Sequence, residues 1–288
     1  MSWRLVVPGW LVGMLAGCAT APAEVVATAP AVVEVADAAE AGEVLAPEKV
    51  LYVPPPPPRP KDPYQALRYD IDQERHTLAR RRALGEDVAA DAASVIDQRL
   101  PQLINAWKGT RWSYSGTTQT PKQGKIACGY FVSTVLEHAG FEVDRVDLAR
   151  QASEQILRSL IPDGDIARYS YASRDYVVAQ VEKQGDGVYL VGLDTHIGFL
   201  VNEPNKPVNF CHSTKRDRRA GVVCELARTS PSFKSRYTVV GKLAQPETVG
   251  VWLAGADLPT ARKGEPQCDA LVAEAEVDPT DGAASAER

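Results

Sequence analysis

Three side chains in this sequence could together perform nucleophilic thiol chemistry: Cys128, His196 and His212. Such chemistry needs a sulfur that can lose its proton, an imidazole to take and return that proton, and a third polar group to fix the imidazole's tautomer and tilt. Cys128 opens a run in which Phe131, Val132, Val135, Leu136 and Ala139 follow at helical spacing, with Gly140 as the stop. The spacing predicts a helix that starts at Cys128 and turns this residue toward the core. Unpaired backbone N–H groups and the positive end of the macrodipole at a helix start are expected to lower the thiol pKa. A small buried hydrophobe would suit the same position.

The histidines fall on period-two segments. Alternation puts His196 on one face with Gly198 and Leu200, and His212 on one face with Val208 and Phe210. If residues 203–207 form a hairpin loop, position 202 lies opposite 208, and His196 is diagonal to His212 on a shared face. A shift of two would make them direct partners. Cys128 is therefore assigned as nucleophile, His196 as base and then acid, and His212 as orienter. His138 cannot serve as the base, because ten residues along the same helix it stands roughly 15 Å up the axis and about 80° round from the thiol. It reads instead as a C-terminal residue compatible with the helix dipole, and His76, among Glu74, Arg75 and Arg80, reads as surface. A zinc ion held by Cys128, His196 and His212 is the alternative use of the same trio, although no acidic or cysteine ligand pair at helix spacing accompanies it. No cofactor or metal is expected.

The elements that must position these residues follow from periodicity. Residues 64–107 read as two or three charged helices, with a break near Gly85 and a kink or restart at Pro101. A second amphipathic piece runs through Leu148, Ala152, Gln155, Ile156 and Leu160. Beyond Gly187 the period becomes two, and residues 188–191, 196–202, 208–213, 221–226 and 237–243 read as five strands. Helices first and strands afterwards describe an α+β domain with an antiparallel sheet of about five strands.

At 288 residues with 44% hydrophobic content, the chain can hold a substantial core. A net charge of −5, with no concentrated basic face, gives no reason to expect nucleic acid. Arg4, the short apolar run 5–14 and Leu15-Ala16-Gly17-Cys18 resemble the signal of bacterial lipoproteins. That resemblance implies cleavage before Cys18 and lipid on its thiol, and Ala19 points to the outer membrane of a Gram-negative cell. Residues 18–62 read as an Ala/Pro-rich disordered tether ending in five prolines, 54–58. Residues 63–107 are the helical segment, 108–250 the site-bearing domain and 251–288 an acidic, mostly disordered tail, with disorder expected from about Gly264. In an oxidising compartment Cys211 and Cys224 could form a disulfide beside His212, or remain two thiols, and Cys268 has no assigned role.

In order along residues 108–243, Gly109-Thr110-Arg111-Trp112, Ile126-Ala127-Cys128-Gly129-Tyr130-Phe131-Val132, Arg150-Gln151-Ala152-Ser153, Gly185-Asp186-Gly187-Val188, His196-Ile197-Gly198-Phe199, Phe210-Cys211-His212-Ser213 and Ser232-Phe233-Lys234-Ser235-Arg236-Tyr237 resemble the signature blocks of NlpC-type cell-wall cysteine peptidases. The resemblance implies a papain-like α+β fold, the nucleophile helix packed on the sheet that bears the histidines. It also implies hydrolysis of amides in peptidoglycan stem peptides, commonly the D-glutamyl–diaminopimelate bond. Two positions depart from that family: Ala127 and Gly129 stand where an acidic residue and a serine are usual. Trp112 stands where the family usually has a tyrosine near the developing oxyanion; it could donate its indole N–H there or simply pack in the core. The expected partners are peptidoglycan stem peptides, the membrane through the N-terminal lipid, and envelope proteins that regulate cutting. Two alternatives are a non-catalytic peptidoglycan-binding or scaffolding lipoprotein, and a related amidase or acyltransferase of the same fold.

Overall fold

The structure is a computed structural model that describes residues 57–215 and 221–264. Residues 1–56, including the expected signal segment, Cys18 and most of the expected tether, lie outside the described residues, as do residues 216–220 and 265–288 with Cys268.

Helix α1 (Pro63–Ala83) begins because Asp62 accepts the N–H groups of Tyr64 and Gln65, and Pro63 cannot donate where no partner exists. A turn at Gly85, φ +86°, separates it from α2 (Ala89–Trp107). The expected kink or restart at Pro101 does not occur as an interruption: α2 runs through that residue, with Leu100, Pro101, Leu103 and Ile104 all buried. Continuous burial of this apolar stripe outweighs the proline penalty of about 3 kcal/mol. Glu74 and Arg99 pair across the two helices.

Strands β1 (Arg111–Trp112) and β2 (Lys125–Ile126) precede α3 (Cys128–His138). Short elements follow: β3 (Glu142–Val143), α4 (Arg145–Ala149), α5 (Ser153–Arg158) and β4 (Ala167–Ser170). Next come α6 (Arg174–Gln184), β5 (Gly187–Leu193), β6 (His196–Asn202), β7 (Asn209–Thr214), β8 (Gly221–Leu226) and β9 (Tyr237–Lys242). Helix α7 (Pro246–Ala254) and β10 (Asp257–Leu258) close the described chain.

The class is α+β, but the main sheet has eight strands where five were expected, in the order β2-β1-β8-β7-β6-β5-β9-β4. All five expected strands are present as β5 to β9. The additions are β4, paired antiparallel with β9, and the two-residue strands β1 and β2, which pair parallel to each other. A two-residue strand is too short to show alternation, so periodicity could not reveal it.

One core cluster joins α1, α2 and α3 to the sheet face bearing Ile197, Phe199, Val201, Cys211 and Val222. A second lies on the other face, where Val177, Val178 and Val181 of α6 meet Tyr189, Leu200 and Phe210. The first residues assigned to the tail are packed, ahead of the disorder expected from about Gly264. Trp252, Leu253 and Leu258 are buried, and β10 pairs with β3. Trp252 Nε1 also donates to the carbonyl of Ala139, 2.7 Å away, tying α7 to the end of α3.

Candidate active site

Helix α3 forms as its spacing predicts, with Cys128 as its first residue and Ala127 as its N-cap. Ala127 has no side chain that can cap, so the first N–H groups of the helix receive no side-chain acceptor. The N–H groups of Gly129 and of Cys128 itself, together with that of Ile197 on β6, instead favour an ionised sulfur. The expected lowering of the thiol pKa is nevertheless overturned. Burial pushes the Cys128 thiol above its ordinary value, and the surrounding N–H groups only partly oppose this.

Gly129 has a packing reason. A Cβ there would lie 2.2 Å from the carbonyl oxygen of Ala149, so the end of α4 approaches α3 closely only because no side chain intervenes. The segment before the cysteine is fixed as well. Ala127 N–H donates to the Gly116 carbonyl at 2.9 Å, and Ser213 Oγ donates to the Ile126 carbonyl at 2.8 Å. Ser213 follows His212, so the strand bearing that histidine also anchors the approach to Cys128.

The histidines meet. Strands β6 and β7 pair with Phe199 opposite Cys211 and Val201 opposite Asn209, the diagonal register expected for His196 and His212. His196 Nε2 lies 2.8 Å from His212 Nδ1, the rings nearly perpendicular at 89°. His212 is buried and stacks on Phe210 with ring centroids 4.2 Å apart. The turn before His196 is held by Asp194, which accepts the N–H groups of Arg236 and Tyr237 at 2.8 and 3.1 Å. Ser153 Oγ donates to the adjacent Leu193 carbonyl at 2.8 Å. Burial pushes His196 down to about 3, with His212 nearby adding to the effect, and pushes His212 down to about 4. Both rings are therefore neutral near neutral pH.

Cys128 meets β6 at its start, where the N–H of Ile197, the residue after His196, acts on its sulfur. Among the described residues no hydrogen bond joins the thiol to either imidazole. Nor, among those residues, is any group of three His, Cys, Asp or Glu side chains arranged to hold a metal ion.

Beyond His212 stands a residue the sequence reading missed. Glu225 Oε1 lies 3.3 Å from His212 Nε2 and accepts a 2.5 Å hydrogen bond from Ser230 Oγ. Its signal was the cysteine pair. Cys211 lies opposite Cys224 on β7 and β8, a disulfide joins them, and Glu225 consequently falls opposite Phe210, one step diagonal from His212. Closing that loop stabilises by about 3 kcal/mol on the chain-entropy account.

Trp112 is half-buried on β1, level with Ile126 of β2, and the Lys215 ammonium lies 5.9 Å from its ring centroid. Its indole N–H has no hydrogen-bond partner among the described residues.

His138 departs from expectation. It is buried, and burial pushes it down to about 3, so it carries no charge to complement the helix dipole. Tyr64 Oη instead joins it to Trp107, 2.8 Å from His138 Nδ1 and 2.7 Å from Trp107 Nε1. His76 lies on the surface beside Asp72, as expected.

Comparison with family models, with curated proteins and with solved structures finds no match.

Proposed function

We propose that this chain is a papain-like, NlpC-type thiol hydrolase that cuts amide bonds in peptidoglycan stem peptides. One observation carries the reading: His196 is hydrogen-bonded to His212 at 2.8 Å while the next amide along β6 acts on the sulfur of Cys128. A thiol at a helix start, a neutral imidazole at the strand it abuts and a second imidazole behind the first are the parts that acyl transfer through sulfur requires.

Because both rings are neutral and the thiol is raised, the resting site holds a protonated sulfur. His196 takes the thiol proton as Sγ bonds to the amide carbon and the carbonyl π electrons move onto oxygen. Backbone N–H groups at the start of α3 stabilise that oxyanion, and the Trp112 indole N–H is a further donor. The tetrahedral species collapses, the C–N bond breaks and His196 protonates the leaving amine, giving a thioester on Cys128. Water, deprotonated by His196, then attacks the thioester, and the C–S bond breaks with return of the proton to sulfur. The product is a free carboxylate.

In this reading the chain is held to the outer membrane by lipid on Cys18, with the site facing the periplasm. Stem peptides are its substrate, envelope proteins its regulators, and the D-glutamyl–diaminopimelate amide the candidate bond. The test is digestion of purified murein, with new termini identified by mass spectrometry. Wild-type protein should release muropeptides, whereas Cys128→Ala should bind murein and release none. Release by the variant at the wild-type rate would end the reading.

A second reading has its own support. With the thiol raised by burial and unbonded to an imidazole, the same site suits a lipoprotein that binds peptidoglycan or scaffolds other envelope proteins. Under that reading wild type and Cys128→Ala bind murein equally and neither cuts it. A related amidase or acyltransferase would leave murein intact and act on a lipid or small amide.

A further inference from the structure

Hydrogen-bond direction can be traced through this site from its far end. Ser230 Oγ accepts the N–H groups of Ser232 and Phe233 at 3.2 and 3.1 Å, so its own hydrogen goes to Glu225 Oε1 at 2.5 Å. That oxygen is therefore an acceptor, and His212 Nε2, 3.3 Å from it, must carry a hydrogen. A neutral imidazole has one ring hydrogen, so His212 Nδ1 is bare and accepts from His196 Nε2 at 2.8 Å. His196 then has its only hydrogen on Nε2, leaving a lone pair on Nδ1, which has no hydrogen-bond partner among the described residues. A lone pair there is what a general base needs.

We infer that Glu225 is a positioning residue that sets the tautomers of His212 and His196 through this relay, keeping His196 Nδ1 unprotonated at rest. Three elements place it. The Cys211–Cys224 bridge fixes the β7–β8 register, Ser230 holds the carboxylate oxygen, and Arg174 at the start of α6 holds the Ser230 carbonyl at 2.5 Å. Burial keeps both rings neutral, which a single-hydrogen relay demands. The kinetic consequence rests on the thiol-hydrolase reading; the tautomer assignment does not.

The test is nitrogen NMR of the full chain labelled with ¹⁵N-histidine, the four histidines assigned by single substitutions. Wild type should show both His212 and His196 protonated at Nε2. Glu225→Ala removes the acceptor and should convert both rings to tautomer mixtures, whereas Glu225→Gln, which retains an acceptor oxygen, should restore much of the wild-type pattern. In murein digestion Glu225→Ala should lower kcat about tenfold to a hundredfold, the size such orienting partners carry, with KM within about twofold. Wild-type His212 protonated at Nδ1 would overturn the inference without any variant, as would folded Glu225→Ala with unchanged tautomers. If wild type cuts no murein yet the tautomers respond to Glu225→Ala, the hydrolase reading fails and the relay stands.

Discussion

His196 and His212 hydrogen-bond at 2.8 Å although neither is the other's direct cross-strand partner: the β6–β7 register sets Phe199 opposite Cys211, which leaves Gly198 opposite His212. The missing side chain at residue 198 makes room for this diagonal. A Cβ there would lie 2.7 Å from the Cys211 carbonyl oxygen, 2.7 Å from Phe210 Cε2 and 2.9 Å from His212 Cβ.

Gly198→Ala should therefore displace His212 and Phe210, destabilising by about 1–3 kcal/mol as overpacked sites do. Thermal melting reads the stability. Murein release measured well below the melting temperature should fall by more than any unfolded fraction explains. An alanine variant with wild-type melting and wild-type release would show that the close approach is unnecessary.

Placing serine at residue 129 should not improve the protein. The Ala149 carbonyl stands 2.2 Å from the position of the added Cβ, and it is backbone, so α4 must move. Gly129→Ser should lower stability by about 1–3 kcal/mol in a urea titration. A rise in the urea midpoint would contradict this packing.

Acid should weaken the fold through its buried histidines. His138 is pushed down to about 3 and His212 to about 4, while an unfolded histidine titrates at about 6.5. Between these values the unfolded chain binds more protons, so stability rises with pH there. It is fully present above about 6.5 and is lost as pH falls toward the folded values, at up to about 1.4 kcal/mol per pH unit for each histidine. Urea titrations at pH 7, 6 and 5 should show this slope, and His138→Gln should reduce it by one histidine's share. An identical slope in that variant would mean His138 is not held neutral.

How much of this was legible in the chain depends on the range of each signal. Helix α3 and strands β5 to β9 follow from periodicity, and the diagonal register of the two histidines follows from the length of the 203–207 loop. The state of the thiol did not follow, because the helix start pulls its pKa down locally while burial by distant elements pushes it up further. His138 misled for the same reason, its bond to Tyr64 spanning 74 positions of sequence. Glu225 was missed because it is one acidic residue on a short strand, and only the Cys211–Cys224 pairing brings it to His212.

Acylation of the Cys128 sulfur is the most direct sign of thiol hydrolysis in this chain. Acid-quenched protein incubated with murein stem peptide, digested and weighed by mass spectrometry, should carry the acyl half of the substrate on the peptide containing Cys128, in a linkage that hydroxylamine removes. An adduct on another residue, or murein cleavage at full rate by Cys128→Ala, would contradict it.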